Sequence, residues 1–159
     1  MEAILVKDQK AAAFVMEDGT FEGVYRITEK VCGDVEQVTG VRPKIIKWQG
    51  ALQPAQVYVA TLGNSEMSEA IAEEEGIELS SLCGKRECFL FQVLKNGSLL
   101  IAGSDKRGTI YGLFHISELM GVSPFVHFAD VVPAPQKEII FSEKDSMQSK
   151  EPSVKYRGF

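Results

Sequence analysis

The chain has 159 residues, 45% of them hydrophobic and 25% charged, and carries a formal net charge of −5. That composition suits one compact globular domain, which at this length buries roughly two thirds of its unfolded surface. The acidic balance excludes the basic face that phosphate contacts require and gives no attraction to anionic membranes. No apolar run reaches the roughly 18–20 residues of a membrane span. Met1-Glu2-Ala3-Ile4 lacks the basic and long apolar regions of a signal peptide.

In chain order, Ala3–Val6 and Ala11–Met16 read as short strands, and Glu17-Asp18-Gly19-Thr20 as a turn after the second. The period then changes. Val24, Ile27, Val31, Val35 and Val38 form one stripe of an amphipathic helix, and Gly40 supplies its stop. Thr20 and Gly23 make no capping box. Pro43–Lys47 is extended, and Gln56–Thr61 is a β-rich strand. Ser65 is the expected N-cap of a helix over Glu66–Glu75, closed by Gly76. Glu73-Glu74-Glu75 at its end reads as a solvated charge run.

Phe89–Leu94 and Ser98–Ala102, joined through Asn96-Gly97, predict a hairpin. A helix over Lys106–Met120 comes next, with Ile110, Leu113, Phe114, Ser117 and Leu119 or Met120 on its buried side and Gly121 after it. The stretch from Val122 to Pro135 is irregular and aromatic, and Lys137–Ser142 reads as a last strand. The order of elements implies an α/β (α+β) domain, with a mixed sheet and helices packed mainly on one face. Residues 1–142 are the expected domain. Glu143–Pro152 reads as a polar linker, and Ser153–Phe159 as the first strand-like stub of something further.

Chemistry-bearing signals are sparse. The three cysteines, Cys32, Cys83 and Cys88, do not form a disulfide framework, though Cys83 and Cys88 flank a turn that an oxidising compartment would let them bridge. A zinc site needs a second Cys or His pair that the sequence lacks, and no cofactor motif is present. The two histidines are His115, three residues before Glu118, and His127, three before Asp130. A His–Asp pair suits general base catalysis, yet no nucleophile is paired with it, so both histidines read as structural. No pair of carboxylates is placed for glycoside hydrolysis, and no catalytic residue is assigned.

The densest segment is Ile101-Ala-Gly-Ser-Asp-Lys-Arg-Gly-Thr-Ile-Tyr-Gly112, a strand running into a helix. Backbone N–H groups there, with Lys106 and Arg107, suit an anion. Gly103 and Gly108 echo a phosphate loop, but Thr109 stands where its lysine belongs. The plainer reading is a tight turn in which Ser104 or Asp105 caps the helix. Phe125 and Phe128, either side of His127, suit stacking on a sugar ring or contact with a neighbouring domain.

The run Ser104-Asp-Lys-Arg-Gly-Thr-Ile-Tyr-Gly112 resembles the N-terminal region of glycoside hydrolase family 115, the xylan α-1,2-glucuronidases. So do Ser117-Glu118, Gly121-Val-Ser-Pro124, Ala129-Asp130-Val131 and Val35-Glu-Gln-Val-Thr-Gly40 with Arg42-Pro43. Pro152-Ser-Val-Lys-Tyr-Arg-Gly158 is similar to that family's entry into its barrel. The resemblance implies a domain with a mixed sheet, preceding a (β/α)8 barrel that carries the catalytic carboxylates. It implies a parent enzyme that removes glucuronic acid, often 4-O-methylated, from xylan by an inverting route. It also implies a periplasmic or secreted location. The barrel would be this chain's partner, xylan-type polysaccharide the parent's substrate, and the chain alone inactive. The alternative is a free-standing carbohydrate- or anion-binding module that uses Ser104, Asp105, Lys106 and Arg107 with Phe125, His127 and Phe128.

Overall fold

The computed structural model describes residues 2–63, 65–82, 84–121 and 136–149. Two sheets and three helices account for them. Strand β1 (Glu2–Lys7) pairs antiparallel with β2 (Lys10–Ala11) on one side and with β8 (Ile139–Ser142) on the other. The larger sheet has the order β4-β3-β5-β7-β6-β9. In it β3 (Phe14–Met16), β4 (Ile45–Lys47), β5 (Val57–Thr61) and β7 (Leu99–Gly103) run parallel. Strands β6 (Phe89–Val93) and β9 (Met147–Gln148) complete it, each antiparallel to its partner.

The strands are almost continuously apolar because both faces of this sheet are covered. Phe14, Met16, Val57, Val59, Phe89, Phe91, Leu99 and Ile101 face one side. There they pack on α1 (Glu22–Thr39), α3 (Lys106–Leu119) and the small sheet. Val15, Tyr58, Ala60, Leu90, Leu100 and Ala102 face the other side, against Met67 and Ile71 of α2 (Glu66–Glu75). Two of the three helices therefore share a face, as the sequence predicts, and the third seals the back.

The local signals explain the helix ends. Helix α1 starts at Phe21 with no side-chain cap, and Gly40 ends it in the left-handed conformation at φ 81°. The Ser65 hydroxyl accepts from the Ser68 N–H at 3.1 Å to cap α2. The buried side of α3 includes the expected Leu113, Ser117 and Met120, with Ile110 and Phe114 part-buried, and takes in further small residues. Gly108, Thr109, Gly112, Leu113, Ile116 and Ser117 are buried, whereas Leu119 is 41% exposed. Gly108, Thr109 and Gly112 let the first turns of the helix lie close against the strands, with Leu113 and Ile116 buried beside them.

Two further segments differ from expectation. Ala11–Met16 is not one strand. It leaves the small sheet after Ala11 and enters the large one at Phe14. The described part of the polar stretch after Ser142 is not an extended linker. Glu143–Asp145 makes a 3-10 turn, Met147–Gln148 pairs with β6, and the Ser149 N–H donates to the Phe89 carbonyl at 2.9 Å. The free edge of β6 supplied unpaired backbone groups that this segment satisfies. No helix among the described residues is long and apolar enough to cross a membrane.

Candidate functional site

The carboxyl ends of β3, β5 and β7 lie along one edge of the sheet, and three loops leave from there: 17–21, 62–65 and 104–105. Between β3 and β5 the connections diverge, since β3 leads through α1 to β4 on its outer side. In open α/β sheets such a switch point is where ligands bind. A crevice of about 350 Å³ sits there, lined by Glu17, Asp18, Thr20, Phe21, Thr61 and Gly63 among others. Its one buried-facing carboxylate is already engaged. The Ser65 hydroxyl and the Met67 N–H both donate to Glu17, the latter at 3.2 Å. The positive end of α2 is thus neutralised by the protein's own side chain.

The turn after β7 is equally self-contained at its start. Asp105 spreads both carboxylate oxygens over backbone donors, Gly108 N–H at 2.8 Å and Glu87 N–H at 3.0 Å. Ser104 Oγ accepts from Cys88 N–H at 3.0 Å. Thr109, fully buried, has its hydroxyl 2.6 Å from that of Thr61 and 3.2 Å from the Ala60 carbonyl. A Cβ on Gly103 would stand 2.1 Å from Thr109 N, and one on Gly108 would stand 2.0 Å from the Cys88 carbonyl oxygen. No phosphate-sized cradle is left. The glycines let the first turn of α3 sit directly on the backbone of β6 and β7. Lys106 and Arg107 point away from this packing and are exposed.

The structure does not bring the remaining expected residues to this edge. Phe125, His127 and Phe128, with Asp130, lie outside the described residues, as does Cys83. Cys88 is a buried thiol directed at the Arg86 carbonyl at 3.4 Å. Burial pushes the Cys32 thiol up to about 12. His115 is not paired with Glu118. Its ring packs edge-on to Phe91 at 5.0 Å and tilted against Phe89 at 5.7 Å. Burial against those rings lowers its pKa, with the Glu118 and Asp145 carboxylates opposing the shift.

Sequence reasoning missed three arrangements. Buried Asp34 accepts from Ser117 Oγ at 2.9 Å and from Lys30 Nζ at 3.1 Å, tying α1 to α3. Glu87 is buried with φ 57° and accepts from the Tyr111 hydroxyl at 3.4 Å. Trp48 lines a cavity of about 440 Å³ with Gly50, Leu52, Ala70, Glu73 and Glu74. Each joins residues far apart in sequence, so no local pattern announces it. No group of three or more His, Cys, Asp or Glu side chains is placed to hold a metal among the described residues.

No protein-family model matches the sequence, and no curated protein does. Solved structures do match. A family GH115 4-O-methyl-alpha-glucuronidase, BtGH115A, described as specific for decorated arabinogalactans, aligns over 97% of this chain with a TM-score of 0.73 and 29% identity. The chain resembles a domain of a family GH115 glycosidase. It spans only 19% of that enzyme's length. CpGH84D shares the fold over 89% of this chain, at TM-score 0.53 and 12% identity, and the match is again confined to 21% of the longer protein. The first agrees with the family resemblance read from the sequence.

Proposed function

We propose that the chain is the non-catalytic leading domain of a larger glycoside hydrolase that removes glucuronic acid, or its 4-O-methyl ether, from a decorated polysaccharide. The carrying observation is the match to BtGH115A, which takes in nearly the whole of this chain and about a fifth of that enzyme. The chemistry of the described residues supports the same reading. Glycosidic hydrolysis needs two carboxylates facing one bond, one of them held protonated. The Glu17 and Asp105 carboxylates are instead tied to backbone N–H groups at helix starts. In this reading the domain expected over residues 1–142 extends through Ser149, which closes the edge of its large sheet, and the chain leads beyond it towards a catalytic (β/α)8 barrel. Exposed Lys106 and Arg107, with Phe125, His127 and Phe128, are contacts towards that barrel.

Two substrates are suggested by different observations. The motif resemblance favours glucuronoxylan, whereas the enzyme that matches in structure is described as acting on decorated arabinogalactans. Incubating the full-length protein with each polysaccharide and quantifying released 4-O-methylglucuronic acid decides between them. Release from either supports the proposal. Release from neither overturns it.

A further inference from the structure

We propose that the cavity between Trp48 and α2 is a binding subsite for a neutral pyranose unit of a polysaccharide backbone. This rests on the reading that the protein handles carbohydrate, and it assigns that handling to a place other than the crevice lined by Glu17. Three observations converge. The hollow is a shallow depression open to solvent, with a volume of about 440 Å³ that suits a monosaccharide, and it is bordered by one indole, one leucine, two small residues and two carboxylates.

The indole is carried on an anchored main chain and meets one fixed aromatic neighbour. The backbone N–H of Trp48 donates to the Met16 carbonyl at 2.8 Å, which continues the β4 ladder by one residue and fixes the main chain that carries the ring. Its ring meets buried Tyr58 edge-on, with centroids 6.3 Å apart. Tyr58 is in turn fixed through its hydroxyl, which donates to the Gln53 carbonyl at 2.7 Å and accepts from the Gln53 N–H at 2.8 Å. An aromatic surface that is only partly buried offers an apolar platform of the kind small-molecule sites use.

The opposite wall is polar and of one sign. Ala70, Glu73 and Glu74 stand at helical spacings of three and four, so they share one face of α2. Glu73 and Glu74 are exposed, and neither has a hydrogen-bond or ion-pair partner among the described residues. Glu75 beside them is occupied, accepting from Lys95 N–H at 2.6 Å. Unpaired carboxylates accept hydroxyl donors strongly. They lie at the negative end of the helix dipole, with no basic residue in the last turn. That field repels a carboxylate. The subsite therefore fits the uncharged sugars of the backbone and excludes the uronic acid branch.

Trp48 is the single tryptophan, so its emission reports this cavity alone. The test titrates the chain with xylohexaose and with a neutral galacto-oligosaccharide, then with glucuronic acid at low salt. A saturable spectral change with a neutral oligosaccharide, reduced about tenfold or more in affinity by Glu73→Ala with Glu74→Ala, is the expected result. Glucuronic acid should bind at least about tenfold more weakly. No saturable change up to about 10 mM overturns the subsite, as does an unaltered affinity in the double variant or equal binding of glucuronic acid. The two substitutions lie on an exposed helix face and leave the fold intact. Failure here leaves the hydrolase reading standing, because that reading is judged by sugar release from the full-length protein.

Discussion

Replacing Gly108 by alanine isolates what the most recognisable motif does. A Cβ at this position would sit 2.0 Å from the Cys88 carbonyl oxygen and 2.9 Å from its carbon. Ordinary contact begins at 3.4 Å, so helix and strand must part by more than an ångström. The obstacle is backbone, which cannot rotate aside. Overpacking of this kind costs about 1–3 kcal/mol or more. The better helix propensity of alanine returns at most about 1 kcal/mol. A net loss of about 2 kcal/mol is expected, and for a domain of this length that is about 4–8 °C in Tm. Gly23→Ala is the matched control, since its Cβ meets only the mobile end of Lys106 at 2.9 Å. That change should be neutral or stabilise by up to about 1 kcal/mol. Urea unfolding followed by circular dichroism measures both. A Gly108→Ala protein as stable as the parent would refute the packing account of the motif.

Two other perturbations probe the same region. Asp105→Ala removes the α3 cap and leaves the Glu87 N–H without its acceptor. About 2–4 kcal/mol should be lost, and a smaller loss in Asp105→Asn would mark the cap as the part retained. For His115, burial lowers the folded-state pKa below 6.5, so the unfolded chain binds the proton more readily. Its contribution is present above 6.5 and fades as pH falls through the lowered value. His115→Gln should therefore flatten the decline in stability as pH falls from 6.5 to that lowered value. Parallel declines in the two proteins would contradict the assignment.

Much of this architecture was legible because the signals were local. The stripe from Val24 to Val38, the Ser65 cap, Gly40 and the Asn96-Gly97 turn each depend on residues within a few positions of one another. The strand boundaries at Ala11 and Phe14 were not, because the chain changes sheets there, and only tertiary pairing decides which edge each residue joins. Met147–Gln148 escaped for a related reason. Its side chains are exposed and its pairing is all backbone. The candidate site was legible only in part. The sequence placed Asp105 at the start of α3, but nothing local indicated that Glu87, eighteen residues away, would take its second oxygen. Trp48 and Glu73 are separated by a strand and most of a helix, so their shared cavity required the fold.

On this reading the chain accompanies glucuronic acid removal without performing it. The direct measurement is release of 4-O-methylglucuronic acid from glucuronoxylan and from decorated arabinogalactan, by the isolated chain and by the full-length protein side by side. The expected result is release by the full-length protein and none by the chain. Turnover by the isolated chain, or silence from both, would contradict it.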